Sequence, residues 1–366
     1  MTDPWALAIA RDGSLAAQLV PLPLPDLDPG QARFRIDRFA LTANNVTYAT
    51  FGAAMRYWDF YPADDGTGRV PVWGFATVTE SRVRVAPEGA RVWGFWPAAS
   101  HATLTPVRES PASFRDGARH RAELSRVYNA YPIEMLTDTA AGEIERAIFE
   151  PLFLTAFLLA MDLRAAAAGV GAITITGASS KTALALAAIL RDAPIPGVTV
   201  EGLTSGPNRA FVAGTGLYDR VASYDELILL PQDRTRLIVD MAGSAQVNRA
   251  LHSRFGDRLA GNIRVGAANW ADSAPARDLP GPRPRFFFAP DAFRAAREAL
   301  GIGPLTAQLS AARKAVQRLA MARITPRVLH GAEGALAGWR DLVAGRVPPD
   351  QGLIVEGAGG TGPLHP

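Results

Sequence analysis

Ile173-Thr-Ile-Thr-Gly177-Ala-Ser-Ser-Lys181-Thr-Ala-Leu-Ala-Leu-Ala-Ala188 is a β-branched run that stops at a glycine, passes through small hydroxylated residues and becomes an Ala/Leu-rich helical pattern. That order spells a strand, a tight turn and a helix N-terminus, where unpaired backbone N–H groups can hold a phosphate. The glycine signature is degenerate, because Ser179 and Ala183 stand where a dinucleotide fingerprint has its second and third glycines. Small side chains still let a pyrophosphate approach, and the hydroxyls of Ser179, Ser180 and Thr182 can bond its oxygens. An ordinary buried α/β turn would read the same way, so both readings stand at this point.

Working outward, the same alternation continues. Val198-Thr-Val-Glu-Gly-Leu203 reads as a second strand, Asn208-Arg-Ala-Phe-Val-Ala-Gly214 as a second helix and Arg220-Val-Ala-Ser-Tyr224 as a third strand. Leu237-Ile-Val-Asp-Met-Ala-Gly243 and Asn262-Ile-Arg-Val-Gly-Ala267 extend the series. Strands separated by helices imply a parallel doubly wound sheet. Helical periodicity precedes it from about Ile144, in Glu150-Pro-Leu-Phe-Leu-Thr-Ala-Phe-Leu-Leu-Ala-Met-Asp162. Helices around 293–300, 306–321 and 335–344 follow, with strands at Arg327-Val-Leu329 and Gly352-Leu-Ile-Val-Glu356. The last stretch, Gly357-Ala-Gly-Gly-Thr-Gly-Pro363, reads as a disordered tail.

From Trp5 to about Thr105 the pattern is short strands and turns. Ala32-Arg-Phe-Arg-Ile-Asp-Arg-Phe-Ala40 alternates apolar and charged residues, as a half-exposed strand does. Val70-Pro-Val-Trp-Gly74-Phe-Ala-Thr-Val-Thr-Glu80 and Ala90-Arg-Val-Trp-Gly94-Phe-Trp96 read similarly, with Gly74 and Gly94 as bulges or turns. A β-rich, barrel-like domain is expected. The charged, Arg-rich stretch Glu109–Tyr131 reads as a solvated connector, or else as a lid.

Composition narrows the function classes. The 366 residues are 48% hydrophobic and 20% charged, which is a folded chain of two-domain length. No cysteine is present, so disulfides, thiolate zinc sites and a cysteine nucleophile are excluded. Neither a signal peptide nor a segment long enough to span a bilayer is visible, so the cytoplasm is the expected location. The net charge of +3 is small and scattered, which argues against a nucleic-acid partner. Of the 38 basic residues only Lys181 and Lys314 are lysines, and Lys181 falls inside the candidate phosphate turn. A compact ammonium near phosphate would account for it, as would chance.

A β-rich first domain, a Rossmann domain and a return of the chain to the first domain resemble the medium-chain dehydrogenase/reductase superfamily. Local motifs carry the resemblance too. Ala40-Leu-Thr-Ala-Asn44-Asn-Val-Thr-Tyr48-Ala-Thr-Phe-Gly52 is similar to the segment that contacts substrate and nicotinamide in zinc-free quinone and enoyl reductases. Thr155-Ala156 resembles the pair that opens the family's linking helix, Asp240-Met-Ala-Gly243 its Asp-x-x-Gly near the nicotinamide, and Gly345–Val355 its closing strand. Ala178-Ser-Ser-Lys-Thr-Ala183, Leu217-Tyr-Asp219 and Tyr128-Asn-Ala-Tyr131 point to a divergent branch catalogued as a domain of unknown function. The resemblance implies an α/β chain with a GroES-like substrate domain at 1–145 together with 325–366, and a Rossmann domain at 146–324. It also implies a cofactor in the interdomain cleft and a homodimer.

The departures direct the chemistry. Trp73-Gly74-Phe75 stands where the family often has Gly-His-Glu and cannot bind metal, and His101 has no second histidine near it in sequence. No metal site is expected. A site without a Lewis acid must polarise its acceptor by hydrogen bonds, which suits quinones and α,β-unsaturated carbonyls. The second strand runs into Thr204-Ser205-Gly-Pro-Asn208-Arg209 without the carboxylate that binds a ribose 2′-OH, so NADP is favoured over NAD. Glu201 is discounted because it lies inside that strand.

The expected cofactor residues are Gly177, Ala178, Ser179, Ser180, Lys181, Thr182, Thr204, Ser205, Asn208, Arg209 and Gly243. Tyr48, as hydrogen-bond donor or general acid, and Asn44 are the catalytic candidates; each could instead be a packing or turn residue. Tyr57, Trp58, Phe60 and Tyr61 could line an apolar pocket or fill a core. Tyr128 and Tyr131 could close over the site or form a structural pair. Three functions follow: an NADPH-dependent reductase of a small-molecule enone, quinone or carbonyl, a metal-free carbonyl reductase or dehydrogenase, and an NADP-binding sensor without turnover.

Overall fold

The computed structural model describes residues 3–63, 66–134, 139–265 and 279–357. The chain divides into two compact units, residues 1–150 with 326–366, and residues 151–325. Both crossings between units fall immediately before a proline, Pro151 or Pro326.

In the second unit the β-branched run becomes the strand Ala172–Thr176, all five residues buried. A strand covered on both faces has no solvent side, which is why it reads as continuous apolar and Thr residues rather than alternating. Its parallel neighbours are Thr199–Thr204 and Arg236–Asp240. The six strands lie in the order Arg220–Ser223, Thr199–Thr204, Ala172–Thr176, Arg236–Asp240, Leu259–Arg264, Arg285–Phe286, every neighbouring pair parallel. Numbered along this unit that is 3-2-1-4-5-6, the doubly wound order whose direction reverses between the first and fourth strands. The helix Lys181–Asp192 buries eight consecutive residues, Ala183 to Leu190, and packs against Ile302–Leu319. The expected strand 262–267 runs from Leu259 to Arg264; residues 266 and 267 lie outside the described residues, as does the tail from Ala358 onward.

In the first unit Ala32–Leu41 is the central strand, pairing antiparallel with Pro71–Ser81, His101–Leu104 and Gln351–Glu356. The last pairing returns the C-terminal end to the first unit, with Leu353 opposite Leu41 and Glu356 opposite Arg38. The helix Gly331–Val343 also belongs here, its buried Trp339 donating an indole hydrogen bond to the Leu15 carbonyl at 2.9 Å. Among the described residues no helix is long and apolar enough to cross a membrane.

Three expectations are corrected. Gly74 and Gly94 are neither turns nor bulges: they face each other within the paired strands Pro71–Ser81 and Arg91–Pro97. Close approach explains both. A Cβ on Gly74 would lie 2.1 Å from the Arg38 carbonyl oxygen, and one on Gly94 would lie 2.4 Å from the Tyr131 ring. The register irregularities of this pair lie on the partner strand, between Arg33 and Phe34 and between Ile36 and Arg38.

The stretch Glu109–Tyr131 is no solvated connector. It contributes the strand Ser113–Asp116 to the sheet, and its Arg121 and Tyr131 are buried. Arg121 pairs with Asp116 at 3.0 Å, lies 4.4 Å from the Tyr61 ring and donates to the Tyr131 hydroxyl at 2.7 Å. A charge so partnered can be buried, which a count of arginines does not reveal. Finally, the linking helix starts earlier than its apolar periodicity suggested, at Ala140, and runs to Ala166 with Pro151 inside it.

Candidate functional site

The turn after Ala172–Thr176 lies at the carboxyl end of the sheet, where the strand order reverses. Gly177 has φ 58°, and a Cβ there would sit 3.2 Å from the Ala242 amide nitrogen. The positive φ favours glycine, and the tight space would add to the strain of any larger residue. Ser180 caps the helix, its Oγ accepting from the Ala183 amide at 3.3 Å, and Lys181 and Thr182 open it half-buried. Ser179 Oγ accepts from the Asn208 amide group at 3.1 Å and from the Thr204 hydroxyl at 3.4 Å. With both lone pairs engaged, the Ser179 hydroxyl is set to donate.

Ala178 plays a different part. It is fully buried, its N–H donates to the Leu203 carbonyl at 3.2 Å, and its own carbonyl accepts from the Tyr218 hydroxyl at 2.8 Å. It spaces the turn from within and offers no donor outward.

Two contacts were invisible to sequence reasoning. The Gly177 N–H donates to the Tyr224 hydroxyl at 3.1 Å, which places a phenol donor against the turn. Burial raises the Tyr224 pKa, so this phenol stays neutral. Arg209 is exposed, and its Nε donates to Glu226 Oε2 at 2.7 Å. Ser205 opens the short turn that leads to Arg209 and is half-buried, the Asn208 N–H donating to its carbonyl at 3.1 Å. Glu201 is committed elsewhere, buried against Arg236 and accepting from the Thr174 hydroxyl at 2.9 Å.

Across the reversal point, Asp240 is fully buried and ties down the turn to Gly243. Its carboxylate accepts from the Thr176 hydroxyl at 2.7 Å, the Gly243 N–H at 3.0 Å and the Asn248 amide group at 2.5 Å. Asn262 then donates to Asn248 Oδ1 at 2.9 Å and contacts His252 Nε2 at 2.8 Å, while His252 Nδ1 meets the Pro280 carbonyl at 2.8 Å. A hydrogen on His252 Nδ1 with Nε2 as acceptor satisfies both of its contacts. Asn248 and His252 are one helical turn apart on Ala245–Phe255, a spacing that could have signalled a shared polar face.

In the first unit, Asn44 and Tyr48 sit one turn apart on the helix Ala43–Thr50, not in a turn. Asn45 is structural: it accepts from the Thr42 N–H at 2.7 Å and donates to the Pro71 carbonyl at 2.8 Å. The Tyr48 hydroxyl accepts from Asn44 at 2.7 Å and from the Trp73 indole at 3.3 Å, and it also hydrogen-bonds the Tyr128 hydroxyl. Burial, reinforced by Tyr128, holds its pKa well above the usual phenol value. It is therefore a neutral acid at any ordinary pH. The Tyr57 ring lies 4.5 Å away, and Tyr57 and Tyr128 bring their hydroxyls within 3.5 Å.

The remaining aromatics are core. The Trp58 ring fills the space that Cβ atoms on Gly52 and Gly68 would need, and Phe60 is buried. Tyr61 and Tyr131 both donate to the Phe95 carbonyl, at 2.5 and 3.0 Å. His101 contacts Ser100 at 3.0 Å, and burial with Arg33 and Arg35 lowers its pKa. Among the described residues no group of three or more His, Cys, Asp or Glu side chains could hold a metal ion.

This geometry has relatives among solved structures. The yhdH oxidoreductase from Salmonella enterica in complex with NADP superposes with a TM-score of 0.56 at 16% identity, covering 96% of this chain and 99% of that one. CurA from Vibrio vulnificus in complex with NADPH gives 0.61 at 12% identity over 98% and 100%. The quinone oxidoreductase from Coxiella burnetii gives 0.54 at 16% over 97% and 99%. At such identities the likeness shows the fold, a GroES-like plus Rossmann arrangement of the medium-chain dehydrogenase/reductase type. No curated protein matches the chain in sequence. A family model, "Protein of unknown function (DUF2855)", matches residues 39–348. The chain therefore belongs to the DUF2855 family, a divergent branch with the medium-chain dehydrogenase/reductase fold.

Proposed function

We propose that this chain is an NADPH-dependent, metal-free oxidoreductase that reduces an activated C=C bond, a quinone or a carbonyl. The observation that carries the reading is the turn at the strand-order reversal, where Gly177 lets the turn pack against Met241 and Ala242 and Ser179 has a hydroxyl hydrogen left to donate. The donor set fits a pyrophosphate: a capped helix of twelve residues, small side chains and several hydroxyls. Solved relatives of the same fold hold NADP or NADPH, which supports the choice of cofactor.

In this reading Gly177, Ser179, Ser180, Lys181 and Thr182 hold the pyrophosphate, with Ala178 shaping the turn. Thr204, Ser205, Asn208 and Arg209 hold the adenosine side, and Gly243 closes the nicotinamide side. When bound, the nicotinamide supplies a hydride. Tyr48 keeps a proton on its phenol, and Asn44 orients that phenol by donating to it. The reading keeps a small-molecule substrate, a cytoplasmic location and a homodimer as expectations.

One observation favours a second reading, nucleotide binding without turnover: the Tyr48 hydroxyl is buried and already accepts two hydrogen bonds. Both readings are tested by titrating NADPH into the protein, then following its oxidation with panels of enones, quinones and ketones. Turnover of one class supports reduction, binding without turnover supports the second reading, and no binding overturns both.

A further inference from the structure

We infer that Glu226 sets the nucleotide preference of this chain by competing with a 2′-phosphate for Arg209. The inference rests on the cofactor reading above and deepens it. Arg209 is the guanidinium at the end of the second strand, where an adenosine ribose would lie. Its Nε is already bonded to Glu226 Oε2 at 2.7 Å, so a carboxylate offsets its charge before any ligand arrives.

Glu226 is not a loose surface side chain. It follows the third strand, Arg220–Ser223, and its Oε2 also accepts the Ser223 N–H at 3.0 Å in a capping box. The bond from Ser223 and the charge of Arg209 hold its pKa below the usual carboxylate range, so it is ionised at neutral pH. Asp225 beside it is exposed and adds a second negative charge nearby.

The Arg209 and Ser223 N–H contacts both fall on Oε2, and the Ser223 hydroxyl adds a third hydrogen bond to the carboxylate. Its two oxygens have about four acceptor positions and so keep capacity for a ribose hydroxyl. A dinucleotide site of the NAD type takes that acceptor from the end of the second strand; here the turn after the third strand supplies it. A 2′-phosphate must share Arg209 with Glu226, whereas a ribose 2′-OH can use the carboxylate itself. The unmutated protein therefore binds NADPH and NADH with a preference narrower than an unpaired arginine would give.

The test is titration of NADPH and NADH into the full chain, followed by protein fluorescence, with melting temperatures measured alongside. Glu226→Gln keeps an oxygen for the Ser223 N–H, so the fold is expected to hold. It should raise the NADPH-over-NADH preference by about tenfold, the scale of one charge-assisted hydrogen bond gained or lost. Arg209→Gln, on an exposed position, should weaken NADPH alone. A preference unchanged in Glu226→Gln overturns the inference while leaving the cofactor reading intact. A loss of both nucleotides equally in Arg209→Gln does the same. Failure of the unmutated protein to bind either nucleotide overturns the cofactor reading together with this inference.

Discussion

Tyr48 shows what a single residue can and cannot announce. Its hydroxyl receives hydrogen bonds from Asn44 and Trp73 inside an aromatic shell, so removing the oxygen strands two donors. Tyr48→Phe should lower stability by about 1–3 kcal/mol through those stranded groups. If the phenol also delivers a proton, kcat should fall by about a hundredfold with a smaller change in KM. Denaturant unfolding and steady-state kinetics on the same variant separate the two effects, and unchanged kcat would leave Tyr48 as packing. Tyr48 itself was legible because a resemblance drew attention to its segment. For Trp58 the sequence left pocket lining and core packing open. The space Trp58 fills is opened by Gly52 and Gly68, and only folding brings those two glycines to the same ring. Arg121 escaped for a related reason, since its partners Asp116, Tyr61 and Tyr131 meet only in the folded sheet.

At the scale of elements, the strand, turn and helix around Gly177 could be read directly, because β-branched run, glycine and Ala/Leu pattern are contiguous in the chain. The polar chain behind the next strand could not. Asn248 and Asn262 meet because the strand Leu259–Arg264 lies beside Arg236–Asp240, and that adjacency depends on sheet order. Its energetic consequence is specific. Asp240 is fully buried, and its Oδ2 is held by the Asn248 amide group. Asn248→Leu keeps the size and removes that donor, so stability should drop by about 2–4 kcal/mol, the range for weakening the solvation of a buried charge. Adding Asp240→Asn removes the charge that needed the donor. The double variant should then be less destabilised than the sum of the two single changes, a coupling readable in urea melts. Additive losses would mean that Asn248 does not solvate the carboxylate.

For the whole molecule, the decisive event is the return of the chain to its first unit. The strand Gln351–Glu356 lies between Thr325–His330 and Ala32–Leu41, so it is an interior strand, not a decoration on the edge. Its last residue, Glu356, pairs with buried Arg38 at 2.6 Å. Arg38 also reaches Glu143 at 2.8 Å, and Arg91 ties Glu143 to Asp37. Three arginines, Arg35, Arg38 and Arg91, thus balance three carboxylates drawn from distant parts of the sequence. Ending the chain at Asp350 removes one carboxylate from this balance and leaves the backbone of Ala32–Leu41 with an open edge. The first unit should then unfold, whereas residues 151–325, with their own six-stranded sheet and core, should keep a cooperative transition. Limited proteolysis read by mass spectrometry checks this: cuts should spread through residues 1–150 and spare a fragment close to 151–325. A milder variant, Glu356→Gln, keeps the strand and loses the charge. It should cost less than the 3–5 kcal/mol of a fully broken buried pair, because Glu143 still serves Arg38. A truncated chain that resists protease throughout would show that the first unit closes without its last strand.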